Sequence, residues 1–166
     1  GEEEAGQTLT VLVARMRGNR MTMSTVVPSK TTGEFTGTRI MAFLRECGCE
    51  MAKLIVKTDQ EPAILAIVED LVKRRVDKGA EETIPENSPK ESHQSNGVVE
   101  RGIQTVEGMV RTMRSALEER IGGKLEVDDS VWPWIVEYSS YLINRLEVGK
   151  DGKTAYERNK GKRARV

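Results

Sequence analysis

The chain has 166 residues and a mass of 18.5 kDa, enough for one respectable hydrophobic core and nothing that asks for a second. Its 26 basic and 26 acidic residues cancel, so composition excludes a strongly basic nucleic-acid binder and leaves any electrostatic footprint to be local. No apolar run approaches a bilayer span, no signal peptide is visible, and Cys47, Cys49 and His93 are too few for a structural zinc site, so the chain reads as soluble and intracellular with reduced thiols.

In chain order, Glu2, Glu3 and Glu4 read as exposed loop charges. The stretch from Thr8 to Met16 alternates and is rich in Val and Leu, Gly18 and Asn19 suit a turn, and Met21 to Val27 resumes an extended pattern, so the pair predicts a β-hairpin. From Glu34 the positions Phe35, Ile40, Phe43 and Leu44 predict a helix facing the sheet and ending near Gly48. Lys53 to Thr58 is a short apolar run that predicts a strand buried on both faces. Pro62 suits the first turn of the next helix, whose buried stripe would be Ile64, Leu65, Val68, Leu71, Val72 and Val76, with Gly79 as its stop.

Glu82 to Pro85 predicts a short edge strand, and Asn87 to Gly97 has the composition of a loop. Val99, Ile103, Val106, Val110, Met113 and Leu117 recur in alternating steps of four and three, giving one apolar stripe on a helix that Gly122 and Gly123 end. Glu100, Gln104, Glu107, Arg111 and Arg114 run beside that stripe. Val131 to Leu146 predicts a further helix. Trp132 and Trp134 at its start are more often core residues than stacking partners for bases. Lys150, Lys153, Arg158, Lys160, Lys162, Arg163 and Arg165 face only Asp151 and Glu157, which makes residues 150–166 a basic extension of the core in 1–149. A solvated tail and a phosphate-binding arm both fit that composition.

Two carboxylates stand out by placement. Asp59 is the first aspartate of the chain and closes the apolar run Leu54 to Thr58, while Glu100 opens a helix on the border between its buried stripe and water. Hard divalent cations such as Mg²⁺ take anionic oxygens from a few rigidly held carboxylates and leave the remaining positions to water and phosphate. Taken singly, each has a plainer reading: Asp59 as a charge at a helix N-terminus, Glu100 as a solvated first-turn glutamate.

The strings carrying these residues show a family resemblance. Lys57, Thr58, Asp59, Gln60 and Glu61 resemble the strand end that bears the second carboxylate of integrase catalytic cores of retroviruses and long-terminal-repeat retrotransposons. The run Ser95, Asn96, Gly97, Val98, Val99, Glu100, Arg101 is similar to the helix start that bears the third. Trp132 and Pro133, then Tyr141 to Arg145, then Gly152 to Glu157 resemble the end of the copia-type core.

The resemblance implies an α/β fold, a ribonuclease-H-like mixed sheet flanked by helices, here lacking the first strand and the aspartate that strand carries. The start at Gly1 rather than Met suggests a piece of a longer polyprotein. It implies a polynucleotidyl transferase whose parent processes DNA 3′ ends and joins them to target DNA. Two Mg²⁺ or Mn²⁺ ions would serve the complete enzyme, with Asp59 and Glu100 as catalytic metal ligands sharing one shallow cleft. Asn96, Gln104, Lys90 and Arg101 are the implied DNA contacts, although Glu107 stands where a basic residue often occurs. The expected partners are DNA and further copies of the chain, with no membrane and no small-molecule substrate, and the expected location is nuclear in a eukaryotic host. With the first carboxylate lacking, the chain alone should not join DNA ends. The alternatives are a non-catalytic binding or self-associating remnant of such an element and a ribonuclease-H-type nuclease.

Overall fold

A computed structural model describes residues 9–27, 33–87 and 97–165. Packing divides the chain into two units, Gly1–Ser29 with Gly102–Val166, and Lys30–Arg101.

In the first unit, β1 (Val11–Arg15) and β2 (Thr22–Val26) form the expected antiparallel hairpin, Val13 opposite Ser24. Helix α4 (Trp132–Leu146) packs along β2 and closes its outer edge with side chains. The Thr22 N–H donates to Asn144 Oδ1 at 2.8 Å, and Asn144 Nδ2 donates back to the Thr22 carbonyl at 2.8 Å. The Ser24 N–H donates to Ser140 Oγ at 3.1 Å. A side-chain amide thus stands where a neighbouring strand would, which satisfies buried backbone groups and blunts the edge.

The core of this unit gathers Leu125, Trp132 and Ile135, with Val110, Met113 and Leu117 of α3 (Gly97–Ile121) against them. Trp132 is the core residue that its place opening a helix suggests, and its Nε1–H donates to the Glu126 carbonyl at 2.7 Å. Gly102 lies inside α3 because a Cβ there would come within 3.1 Å of Arg15 Cδ. Gly122, with φ of 68°, follows α3 directly, as the sequence predicts.

The unit Lys30–Arg101 holds α1 (Glu34–Glu46), β3 (Leu54–Thr58), α2 (Pro62–Asp77) and β4 (Thr83–Asn87), with β4 parallel to β3. Three expectations fail here. Helix α1 packs on α2, with Gly37 clearing the Asp70–Arg74 pair of α2, and Phe35, expected on its buried face, is exposed. Strand β3 is not buried on both faces, since Ile55 is 61% exposed. The α2 stripe ends not on Val76, which is 68% exposed, but on the fully buried Arg75. That guanidinium donates to the carbonyls of Glu50, Ala52 and Glu81 and to Thr83 Oγ1, tying together the approaches to both parallel strands. A run of neutral oxygens solvates the buried cation in place of water.

The segment 150–165 is partly folded. Thr154 caps α5 (Ala155–Lys160) by accepting the Glu157 N–H at 3.1 Å, and Gly161 closes the helix at φ 73°. Arg158 holds Asp151 by two hydrogen bonds of 2.8 Å and reaches the Asn19 carbonyl in the hairpin turn at 3.2 Å. One cation of the basic segment is therefore a structural tie within its own unit.

Candidate functional site

Asp59 follows the last residue of β3 and is exposed. Its Oδ1 accepts the Glu61 N–H at 3.2 Å, so the carboxylate is steadied by the backbone of the turn that leads into Pro62 and α2. That bond is the local role the plainer reading assigns to it, and it leaves the other oxygen to water or an ion. Glu100 lies in the first turn of α3, exposed, with no hydrogen bond or ion pair among the described residues. Both carboxylates belong to the unit Lys30–Arg101, and the division between the units falls just after Glu100, between Arg101 and Gly102.

The remaining predicted residues divide by position. Gln104 is exposed one turn beyond Glu100 on α3, next to the equally exposed Glu107. Arg101 is exposed on the same helix. Asn96 and Lys90 lie outside the described residues, as do His93 and Ser95.

The donor set fits a hard cation in type, since both groups are anionic oxygens at the ends of regular elements. Its number is small: among the described residues no three His, Cys, Asp or Glu side chains cluster as a metal site. Cys47 and Cys49 are half-buried thiols, neither of them in a disulfide. Burial pushes the Cys49 thiol up, against the smaller opposing pull of Arg75, which favours the inert protonated form.

The electrostatics of this unit are otherwise structural. Glu50 accepts from Arg45 at 2.9 Å and from Lys78 at 2.8 Å, and these two cations, Arg45 foremost, bring its carboxyl down to about 2. Among the described residues no helix is long and apolar enough to cross a membrane.

Similarity in three dimensions points one way. The chain superposes on the simian T-cell lymphotropic virus intasome with a TM-score of 0.65 at 16% identity, over 91% of this chain and 48% of that one. It thus spans about half the length of that relative. The catalytic core domain of BIV integrase gives 0.57 at 18% identity, over 94% of this chain and 88% of that one. The HTLV-2 integrase catalytic core, solved with magnesium in a dimeric form, gives 0.51 at 12% identity, over 91% of each chain. No protein-family model matches the chain, and no curated protein does. The fold is therefore the ribonuclease-H-like α/β fold of integrase catalytic cores.

Proposed function

We propose that this chain is the greater part of a DNA-integrating catalytic core, of the retrotransposon kind that its copia-like strings suggest. Its substrate would be DNA ends, and its parent would process and join them. The observation that carries the reading is the coincidence of the fold with two exposed carboxylates, one ending β3 and one opening α3, in one compact unit. Asp59 and Glu100 would hold the divalent ion, which when bound supplies charge stabilisation to in-line displacement at phosphorus. The Glu61 N–H orients Asp59 for that task, and Gln104 and Arg101, exposed on α3, would meet the DNA backbone alongside Asn96 and Lys90.

Two carboxylates make an incomplete shell, so the chain alone should bind Mn²⁺ weakly and join no DNA ends. Water-proton relaxation in a Mn²⁺ titration tests the site directly. Asp59→Asn and Glu100→Gln should each abolish saturable binding, and unchanged binding in both variants removes them as ligands. Affinity for DNA should be indifferent to sequence and fall steeply with salt. Deleting Lys160 to Val166, which removes the exposed Lys162, Arg163 and Arg165, should flatten the salt dependence. An unchanged slope would make this end of the chain a solvated tail. A second reading, a non-catalytic self-associating protein, draws support from the exposed aromatic face of α4.

A further inference from the structure

Cys47 and Cys49 take no part in the DNA reading, yet the way α1 ends sets them side by side. The buried stripe of α1 runs through Ile40, Phe43 and Leu44. Cys47 lies four positions past Phe43 and three past Leu44 in backbone that is still helical, with φ −79° and ψ −4°, and its N–H donates to the Phe43 carbonyl at 3.0 Å. It therefore extends that stripe. Gly48 then turns left-handed at φ 74°, its N–H donating to the Arg45 carbonyl at 3.0 Å, and the Cys49 N–H donates to the Leu44 carbonyl at 2.9 Å. These two bonds are the Schellman closure, which folds the residue after the glycine back over the residue whose carbonyl it reaches, here Leu44. Both thiols thus come to the Leu44 side of the helix end, and both are half-buried.

The surroundings decide what such a pair can hold. Glu50, the next residue, is already engaged by Arg45 and Lys78. Among the described residues no third Cys, His, Asp or Glu gathers with the thiols. The buried Arg75, which donates to the Glu50 carbonyl at 3.3 Å, stands close enough to Cys49 for its charge to favour a thiolate there. A tetrahedral Zn²⁺ site would need two further ligands. A disulfide would close a ring of only three residues, in which the two sulfurs are hard to bring to their bonding geometry. A soft monovalent cation is satisfied by two thiolates alone, and the complex keeps a negative charge that Arg75 can balance.

We propose that Cys47 and Cys49 form a two-coordinate site for a single Cu⁺ ion within one chain. Binding is balanced by protons: Cu⁺ and two thiols give a bis-thiolate of net charge minus one and release two protons. The proton that burial otherwise keeps on Cys49 is displaced by the metal, as coordination of a thiol requires. With metal–thiolate bonds of about 2.3 Å, a linear ion sets its sulfurs about 4.6 Å apart. Alpha carbons two positions apart lie within about 7 Å of each other, so two cysteine side chains span that separation without opening the cap. The proposal goes beyond the DNA reading and does not depend on it.

Anaerobic titration of the full chain with Cu⁺ in competition with bicinchoninate tests it. The wild type should withdraw one equivalent from the chelator without changing its sedimentation, and Zn²⁺ offered in the same way should not be held. Cys47→Ser and Cys49→Ser should each weaken binding by about a hundredfold or more, because each leaves one thiolate without its chelating partner. A wild type that leaves the ion with the chelator, full affinity in either variant, Zn²⁺ held as tightly as Cu⁺, or a chain that doubles in size on loading each overturns the proposal; the last would place the ion between two chains.

Should a serine variant fail to fold, the wild type itself supplies the readout. One equivalent of Cu⁺ should shield both thiols from iodoacetamide together, so that mass spectrometry finds both alkylated or neither. Shielding of one thiol alone, or labelling that Cu⁺ does not alter, overturns the site.

Discussion

The two strand pairs of this protein are secured in opposite ways. In the β1–β2 hairpin, the inner strand is almost wholly buried, and its outer edge is closed by Asn144 and Ser140 of α4. In the β3–β4 pair, which carries Asp59 at its end, every residue is at least partly exposed, and the fully buried Arg75 ties the approaches to both strands. The hairpin relies on a broad packed surface with polar bonds inside it. The parallel pair is partly exposed along its whole length and is tied at its start by one polar hub, so its local stability should be lower and more easily lost. The candidate carboxylate is thus held by the more delicate of the two constructions.

Breaking the hub should therefore have the largest effect. Arg75→Met keeps the length of the side chain but strands the carbonyls of Glu50, Ala52 and Glu81 beside an apolar group, and should cost about 3 to 4 kcal/mol in chemical denaturation. The loss should appear first as faster amide exchange in β3 and β4. Uniform loss of protection across the hairpin as well would mean that Arg75 is not local to the parallel pair.

The hairpin should yield less to a single change, because packing remains when a bond goes. Asn144→Ala leaves both the N–H and the carbonyl of Thr22 without their partner, at a cost of about 2 kcal/mol by the same measurement. Asn144→Leu would test whether shape or bonding matters there. Stability equal to wild type would show that the edge needs covering and not bonding.

These same particulars mark what was legible in the sequence. Element order and type followed from periodicity and breakers, because the hairpin turn, Pro62 and the paired glycines after α3 act over a few residues. Asp59 and Glu100 stood out because each sits beside a clear boundary. Arg75 did not stand out, since Arg75 and Val76 each continue the stripe four positions on, from Leu71 and from Val72, and the waiting carbonyls favour the arginine. Ile55 and Phe35 misled for a related reason: an apolar residue signals burial only if something covers it. Helix α5 was within reach, because Thr154 with Glu157 three positions later is a capping signature, but a dense run of charge obscured it. The aromatic row on α4 was visible as letters, yet only the structure separates buried Trp132 from exposed Trp134.

A close contact within the hairpin's unit sharpens the comparison at lower cost. Gly102→Ala would bring a methyl to within 3.1 Å of Arg15 Cδ. The end of a flexible side chain can shift, so the loss should be about 1 kcal/mol, offset in part by the better helix propensity of alanine. Pairing it with Arg15→Ala should remove the penalty and turn the substitution stabilising. A penalty that persists without the Arg15 side chain would place the constraint in the backbone.

The smallest expected effect is one of pH, and it falls on the parallel pair's unit. Arg45 and Lys78 lower the Glu50 carboxyl from 4.5 to about 2, so the folded state holds this proton less tightly than the unfolded chain does. A depressed carboxylate contributes stability that is complete above its unfolded value and is lost as pH falls through its folded one, here between about 4.5 and about 2. Because the partners are exposed, solvent screens much of the interaction, and the effect should shrink further in added salt. Glu50→Gln should accordingly flatten the acid limb of a denaturation series for this unit while changing little at neutral pH. An acid limb of unchanged slope would mean that the hub at Arg75 alone governs how the parallel pair comes apart.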